Sequence, residues 1–195
     1  MKDKSIFKKV GIASVIMMAS VFLSRVIGVF REAAIGFVGG IDASVDAYQI
    51  AFIIPEILNH VVASGFLSIT FIPIFSRYIS DKNEIEGYRV YSLIQNTFGL
   101  ILILLIFFAM IFARQLVGWF APGIENPDTF NLAVKMTRII MPAQFFFFTG
   151  GLMMAVQFSN EKFFIPALAP LIYNLFIILG GIFLGPKLGM EGFAW

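Results

Sequence analysis

Long apolar stretches alternate with short polar breaks along the whole chain. Five of them run over 9–38, 45–76, 88–120, 129–158 and 163–184, and 192–195 opens another. A helix needs roughly 20 apolar residues to cross a bilayer, so each stretch predicts a transmembrane helix. The longer ones predict tilted or bent helices, or helices that project beyond the lipid. The breaks carry turn chemistry: Gly39-Gly40-Ile41-Asp42, Ser80-Asp81-Lys82-Asn83, Ala121-Pro122-Gly123 with Asn126-Pro127, Ser159-Asn160-Glu161-Lys162, and Gly185-Pro186. None is long enough to hold a soluble domain. The pattern predicts an all-α fold: a polytopic membrane helix bundle, one membrane domain over residues 1–195, with five transmembrane helices plus the start of a sixth.

The polar positions inside the spans carry the functional signal. Span one holds "SRVIGVFRE", with Arg25, Arg31 and Glu32 in an otherwise lipid-soluble segment. A charge at mid-bilayer costs roughly 2.5–3.5 kcal/mol on insertion scales, so two arginines on one span do not favour lipid. With Ser24 as origin of a helical wheel, Gly28 lies near about 40° and Arg31 near about 340°, on one face. Arg25 and Glu32 form a second line about 100° round. The result is one broad polar sector with a glycine in its middle, where the helix could bend. Two roles fit the arginines. They could snorkel or pair with Glu32 inside the bundle, or display guanidinium groups to phosphate in a watery cavity.

Span two adds Asp46, Gln49, Glu56, Asn59, His60, Ser64, Ser68 and Thr70, with prolines at 55 and 73. Glu56, Asn59 and His60 are spaced i, i+3, i+4 and share a helix face. Intramembrane polar residues mark functional sites or interhelical hydrogen bonds. His60 is the sole histidine, which excludes a multi-histidine metal centre, yet a histidine can still act as a proton switch. Lys135 and Arg138 read as interface anchors, and "GIFLG" at 181–185 as a small-residue stripe.

Composition agrees with the pattern. The chain is 59% hydrophobic and 13% charged, against about 25% charged in a soluble domain. Cysteine is absent, which removes disulfides, thiolate nucleophiles and cysteine metal sites. Lysine and arginine concentrate in alternate loops. Lys2, Lys4, Lys8 and Lys9 precede span one, Arg77, Lys82 and Arg89 flank the second loop, and Lys162 sits in the fourth. The first loop carries Asp42 without a base, and the third carries Glu125 and Asp128. This bias predicts a cytoplasmic N-terminus. No convincing cleavage site follows span one, so a signal peptide is the weaker reading.

"SRVIGVFRE", "DAYQIAFIIPEIL" with "SGFLSITFIPIFS", "APG" after span three, and "FFIPALAPLIYN" into span five together cover most of the chain. In this order they resemble the N-terminal part of the MurJ/MviN family of lipid II flippases, in the multidrug/oligosaccharidyl-lipid/polysaccharide exporter superfamily. The resemblance implies a bundle of about fourteen helices in two halves. It also implies a central cationic cavity for the pyrophosphate and sugar head of an undecaprenyl-linked precursor, carried outward by alternating access across the bacterial cytoplasmic membrane. Residue by residue, Ser24, Arg25 and Arg31 match cavity positions of span one, and Asp46 the acidic residue opening span two. Asn59-His60 stands where the family often has a basic pair, and Glu56 where a neutral amide is common. A less positive cavity follows, with Ser24, Arg25, Arg31, Asp46, Glu56, Asn59 and His60 as substrate-binding candidates.

The expected partners are a lipid-linked glycan, lipid II or a relative, and membrane lipid; no nucleic acid and no cofactor are expected. No enzyme motif emerges, since "SIFK" at 5–8 matches a catalytic serine–lysine spacing only by chance. "GMEGFAW" reads as the opening of a sixth span, so the chain is expected to be a truncated N-terminal lobe. Competing readings are export of another polyprenyl-linked polysaccharide, export of a cationic drug, and a truncated membrane scaffold that does not transport. Arg25 and Arg31 count against the drug.

Overall fold

The computed structural model describes residues 2–40, 42–60 and 70–195, with residues 2–10 described by backbone alone. Among these residues there are ten helices and no strand. Ser64 and Ser68, named above as polar positions of span two, lie outside the described residues.

Helix α1 (Lys2–Gly39) is a single 38-residue rod that runs unbroken through Gly28. Gly28 does not interrupt the helix. Span two is divided into α2 (Ala43–Ala51), α3 (Ile53–Asn59) and, beyond the undescribed residues, α4 (Ile72–Ser80). Asp42 is the N-cap of α2, its carboxylate accepting the Ala43 N–H at 2.7 Å, one of the first-turn donors that have no helical partner. The break at Phe52 has a chemical cause. Pro55 has no N–H, so the Ala51 carbonyl loses its helical partner. The Thr137 hydroxyl, donating to Ala133 within its own helix at 2.8 Å, also lies 3.5 Å from that carbonyl.

Span three is α5 (Glu84–Ile111) and α6 (Ala113–Phe120), and span four is α7 (Pro127–Ile140) and α8 (Ala143–Ser159). Asn126 caps α7 by accepting from the Asp128 and Thr129 N–H groups, and Pro127 occupies the first turn, where its missing N–H costs nothing. Pro142 marks the α7–α8 break, since the Arg138 carbonyl has no N–H to meet there. Span five is α9 (Phe164–Leu188), longer than its apolar run. Gly189, at φ 59°, turns the chain into α10 (Glu191–Ala194) with a left-handed conformation that suits glycine. Four stretches are long and apolar enough to cross a membrane: Gly11–Gly39, Glu84–Ile111, Pro127–Ser159 and Phe164–Leu188. Span two does not qualify among the described residues, because its helices are short.

Helix α1 lies along α9, α2 against α7, and α10 against α9. One core joins Ile35, Tyr48 and Ile54 to Ile106, Met136, Ile140 and Phe193, and a smaller one gathers Phe71 and Phe75 with Leu152 and Ala155. The stripe at 181–185 is used for close approach. Gly181 sits under the Phe193 ring and Gly185 meets the backbone of Gly192, so α10 seats directly on α9. Lys135 pairs with Glu191 at 2.6 Å, and Arg138 donates through Nε to the Met110 carbonyl at 3.0 Å, beside the α5–α6 break. These two cations therefore tie α7 to α10 and α5. Large apolar side chains such as Phe22, Val29, Phe37, Leu104, Phe107 and Phe176 stand exposed, an exterior suited to lipid.

Candidate functional site

The edge of the polar sector that carries Ser24 and Arg31 faces α9. Ser20 donates its hydroxyl to the Ala167 carbonyl in a buried contact. One turn on, Ser24 accepts from the Asn174 side-chain amide at 3.2 Å. Two turns further, Arg31 donates through Nη1 to the Asn174 Oδ1 at 3.1 Å. The same guanidinium donates through Nη2 and Nε to Glu32 Oε1, at 2.6 and 3.2 Å. Ser24 and Arg31 thus do share a face, as the wheel requires, and one amide from α9 meets both. The Arg31 side chain is 29% exposed and that of Glu32 58%.

Beside this pair opens a cavity of about 290 Å³ between α1, α2, α3 and α9. Arg31, Glu32, Gln49 and Glu56 supply its polar groups, Tyr48 and Tyr173 its amphipathic walls, and Ile35, Phe52 and Ile177 the apolar remainder. Tyr48 is held edge-on by Phe52 and Phe193, and Tyr173 by Phe147. Chemically the cavity offers a guanidinium with a free edge, amide and phenol groups, and a partly dry wall. That set suits a phosphate joined to a polar, hydroxyl-rich head. Its charge is not cationic in this part of the protein, because one guanidinium faces two carboxylates.

The other candidates are elsewhere. Arg25 is exposed on α1 and does not line the cavity. Asp46 lines a second cavity, of about 570 Å³, with Gln49 and the loop residues Glu125 and Asn126. Asn59 and His60 end α3, exposed, and also lie off the cavity wall, while Glu56 one turn earlier reaches it. The i, i+3, i+4 triplet therefore contributes one member. Among the described residues no group of histidine and carboxylates is disposed to hold a metal ion.

Asn174, Tyr48 and Tyr173 were not singled out in the sequence, and Gln49 was named there only as a polar position of span two. Asn174 had one signal: it is a lone amide in a helix whose other residues are apolar or small over several turns. Such a group must find a partner inside the bundle.

Comparison with known proteins places the chain. Residues 38–195 match the family described as "MurJ: Lipid II flippase MurJ". The chain is 32% identical over 178 residues to the lipid II flippase MurJ of Thermosipho africanus, covering 91% of this chain and 36% of that protein. It is 29% identical over 188 residues to the probable lipid II flippase MurJ of Aquifex aeolicus, covering 93% of this chain and 36% of that one. A solved structure of lipid II flippase MurJ, in an inward closed conformation, is similar with a TM-score of 0.77 and 31% identity, over 92% of this chain and 38% of that one. The chain spans about a third of the length of the curated relatives it matches.

Proposed function

The chain belongs to the lipid II flippase MurJ family, and from that premise we propose that it forms the N-terminal part of a flippase. The proposed cargo is an undecaprenyl-diphosphate-linked peptidoglycan precursor, moved across the bacterial cytoplasmic membrane by alternating access. The observation that carries this reading is the cavity between α1, α3 and α9, where Arg31 presents a guanidinium at the level of the apolar helices. Such a group costs too much to leave in lipid and is shaped for a phosphate. Ser24 supports it through Asn174, and Glu56 faces it. Arg25, Asp46, Asn59 and His60 lie off this wall, and the reading does not depend on them.

The basic loops support a cytoplasmic N-terminus and an external 39–44 turn. A second reading, a flippase for another polyprenyl-linked polysaccharide, is favoured by the two carboxylates beside Arg31, which make this wall less attractive to a highly anionic head. The test is translocation by the intact encoded protein in proteoliposomes, with defined lipid-linked sugars. Faster flipping of lipid II than of a polysaccharide-type lipid supports the first reading, and the reverse order supports the second. No flipping of either returns the chain to the scaffold reading.

A further inference from the structure

We infer that Asn174 is a positioning residue that aims the Arg31 guanidinium at its phosphate, so that this side chain of α9 helps to select the substrate without lining the cavity itself. This rests on the phosphate role proposed for Arg31. Arginine presents five N–H donors in one plane. Three are engaged here: Nε and one Nη2 hydrogen with Glu32 Oε1, and one Nη1 hydrogen with Asn174 Oδ1. One N–H on each terminal nitrogen remains for a ligand.

The two partners differ in kind. Glu32 is the next residue on the same helix, more than half exposed and charged. An exposed pair of this sort contributes little and is easily exchanged. Asn174 is 8% exposed and neutral. Its own amide is anchored, since Nδ2 donates to the Pro170 carbonyl at 3.0 Å and to Ser24 Oγ at 3.2 Å. The network also dictates which way the amide points. Reversed, its NH₂ would face the Arg31 donors and its oxygen the Pro170 carbonyl. Asn174 therefore holds the guanidinium plane while leaving its charge for the phosphate. An aspartate in its place would hold the plane equally well and neutralise it.

The test uses the intact encoded protein in detergent, with undecaprenyl diphosphate as probe and affinity read by calorimetry. Asn174→Ala is expected to weaken binding about tenfold, the worth of roughly 1.4 kcal/mol. In an Arg31→Ala background it is expected to add nothing. Asn174→Asp, isosteric, is expected to weaken binding more than Asn174→Ala, a ranking that a purely structural role would reverse. Ser20→Ala loosens the same α1–α9 seam away from the cavity, and is expected to lower the melting temperature with affinity unchanged.

Additive losses from Asn174→Ala and Arg31→Ala would overturn the inference and leave the phosphate role of Arg31 standing. So would a loss from Ser20→Ala as large as that from Asn174→Ala. An Arg31→Ala protein that binds normally would overturn both.

Discussion

Substituting Gly192 by alanine tests the seating of α10 on α9. A Cβ built at Gly192 stands 2.6 Å from the Gly185 nitrogen, 2.8 Å from the Leu184 carbonyl carbon and 3.0 Å from the Gly185 Cα. All three are backbone atoms, so no rotamer change relieves the contact. Ordinary carbon contacts begin near 3.5 Å, which requires α10 to lift by roughly 0.5–1 Å, and a gap of that size forfeits a quarter to a half of each dispersion contact. Phe193 is 3% exposed and packs on Gly181 and Tyr48, so the lift is felt in the core that also backs the cavity. Overpacking of this kind costs about 1–3 kcal/mol. The assay is thermal unfolding of the intact protein in detergent, beside Gly123→Ala. Gly123 lies in a turn with nothing within 4 Å of the added carbon, so that control is expected to melt as the parent does. Gly192→Ala is expected to melt several degrees lower. Coincident melting of the two variants would refute the helix contact.

Glu56→Gln removes one of the two carboxylates facing Arg31; a nearby unit charge is worth on the order of 1–4 kcal/mol before screening, so undecaprenyl diphosphate is expected to bind at least about threefold more tightly. Weaker binding in that titration would show that Glu56 holds the substrate itself. The chain lacks cysteine, so an impermeant maleimide is expected to reach Asp42→Cys in intact cells and Lys162→Cys only after lysis; the opposite pattern would invert the topology. The polypeptide 1–195 by itself is expected to leave lipid-head translocation at the protein-free rate, because alternating access rocks two halves about a central site and the relatives are about three times as long. Acceleration by that polypeptide in vesicles would show that the second half is dispensable.

The apolar runs foretold α1, α5, α7 with α8, and α9, because a continuous hydrophobic stretch has few other solutions in lipid. The break near Pro55 was legible, because proline removes an N–H; the one at Pro142 has the same chemistry but falls inside a stretch read as a single span, and no residue type marks the one at Phe112. Arg138 illustrates the consequence. Its sequence position suggested an interface anchor, whereas its guanidinium reaches the Met110 carbonyl beside that unmarked break. The 181–185 stripe announced a close approach, but small residues do not name their partner, and the partner is the next helix in the chain.

The site was legible by halves for a related reason. Ser24 and Arg31 belong to one helix, so their shared face follows from 3.6 residues per turn. Asn174 is separated from Arg31 by 143 positions and has no polar neighbour at helical spacing to form a pattern with. Its role follows only from the packing of α9 on α1. The cavity's charge depends on the same packing. Counted along spans one and two, Lys9, Arg25 and Arg31 balance Glu32, Asp46 and Glu56. Yet Arg25 lies on the exposed side of α1, and Glu56, though exposed, lines the cavity while Asn59 and His60 stay off the wall. The wall consequently carries more negative than positive groups. In the proposed role, a phosphate at Arg31 would use the two N–H donors left by Glu32 and Asn174 against the repulsion of Glu32 and Glu56, and the neutral grip of Asn174 adds no further negative charge.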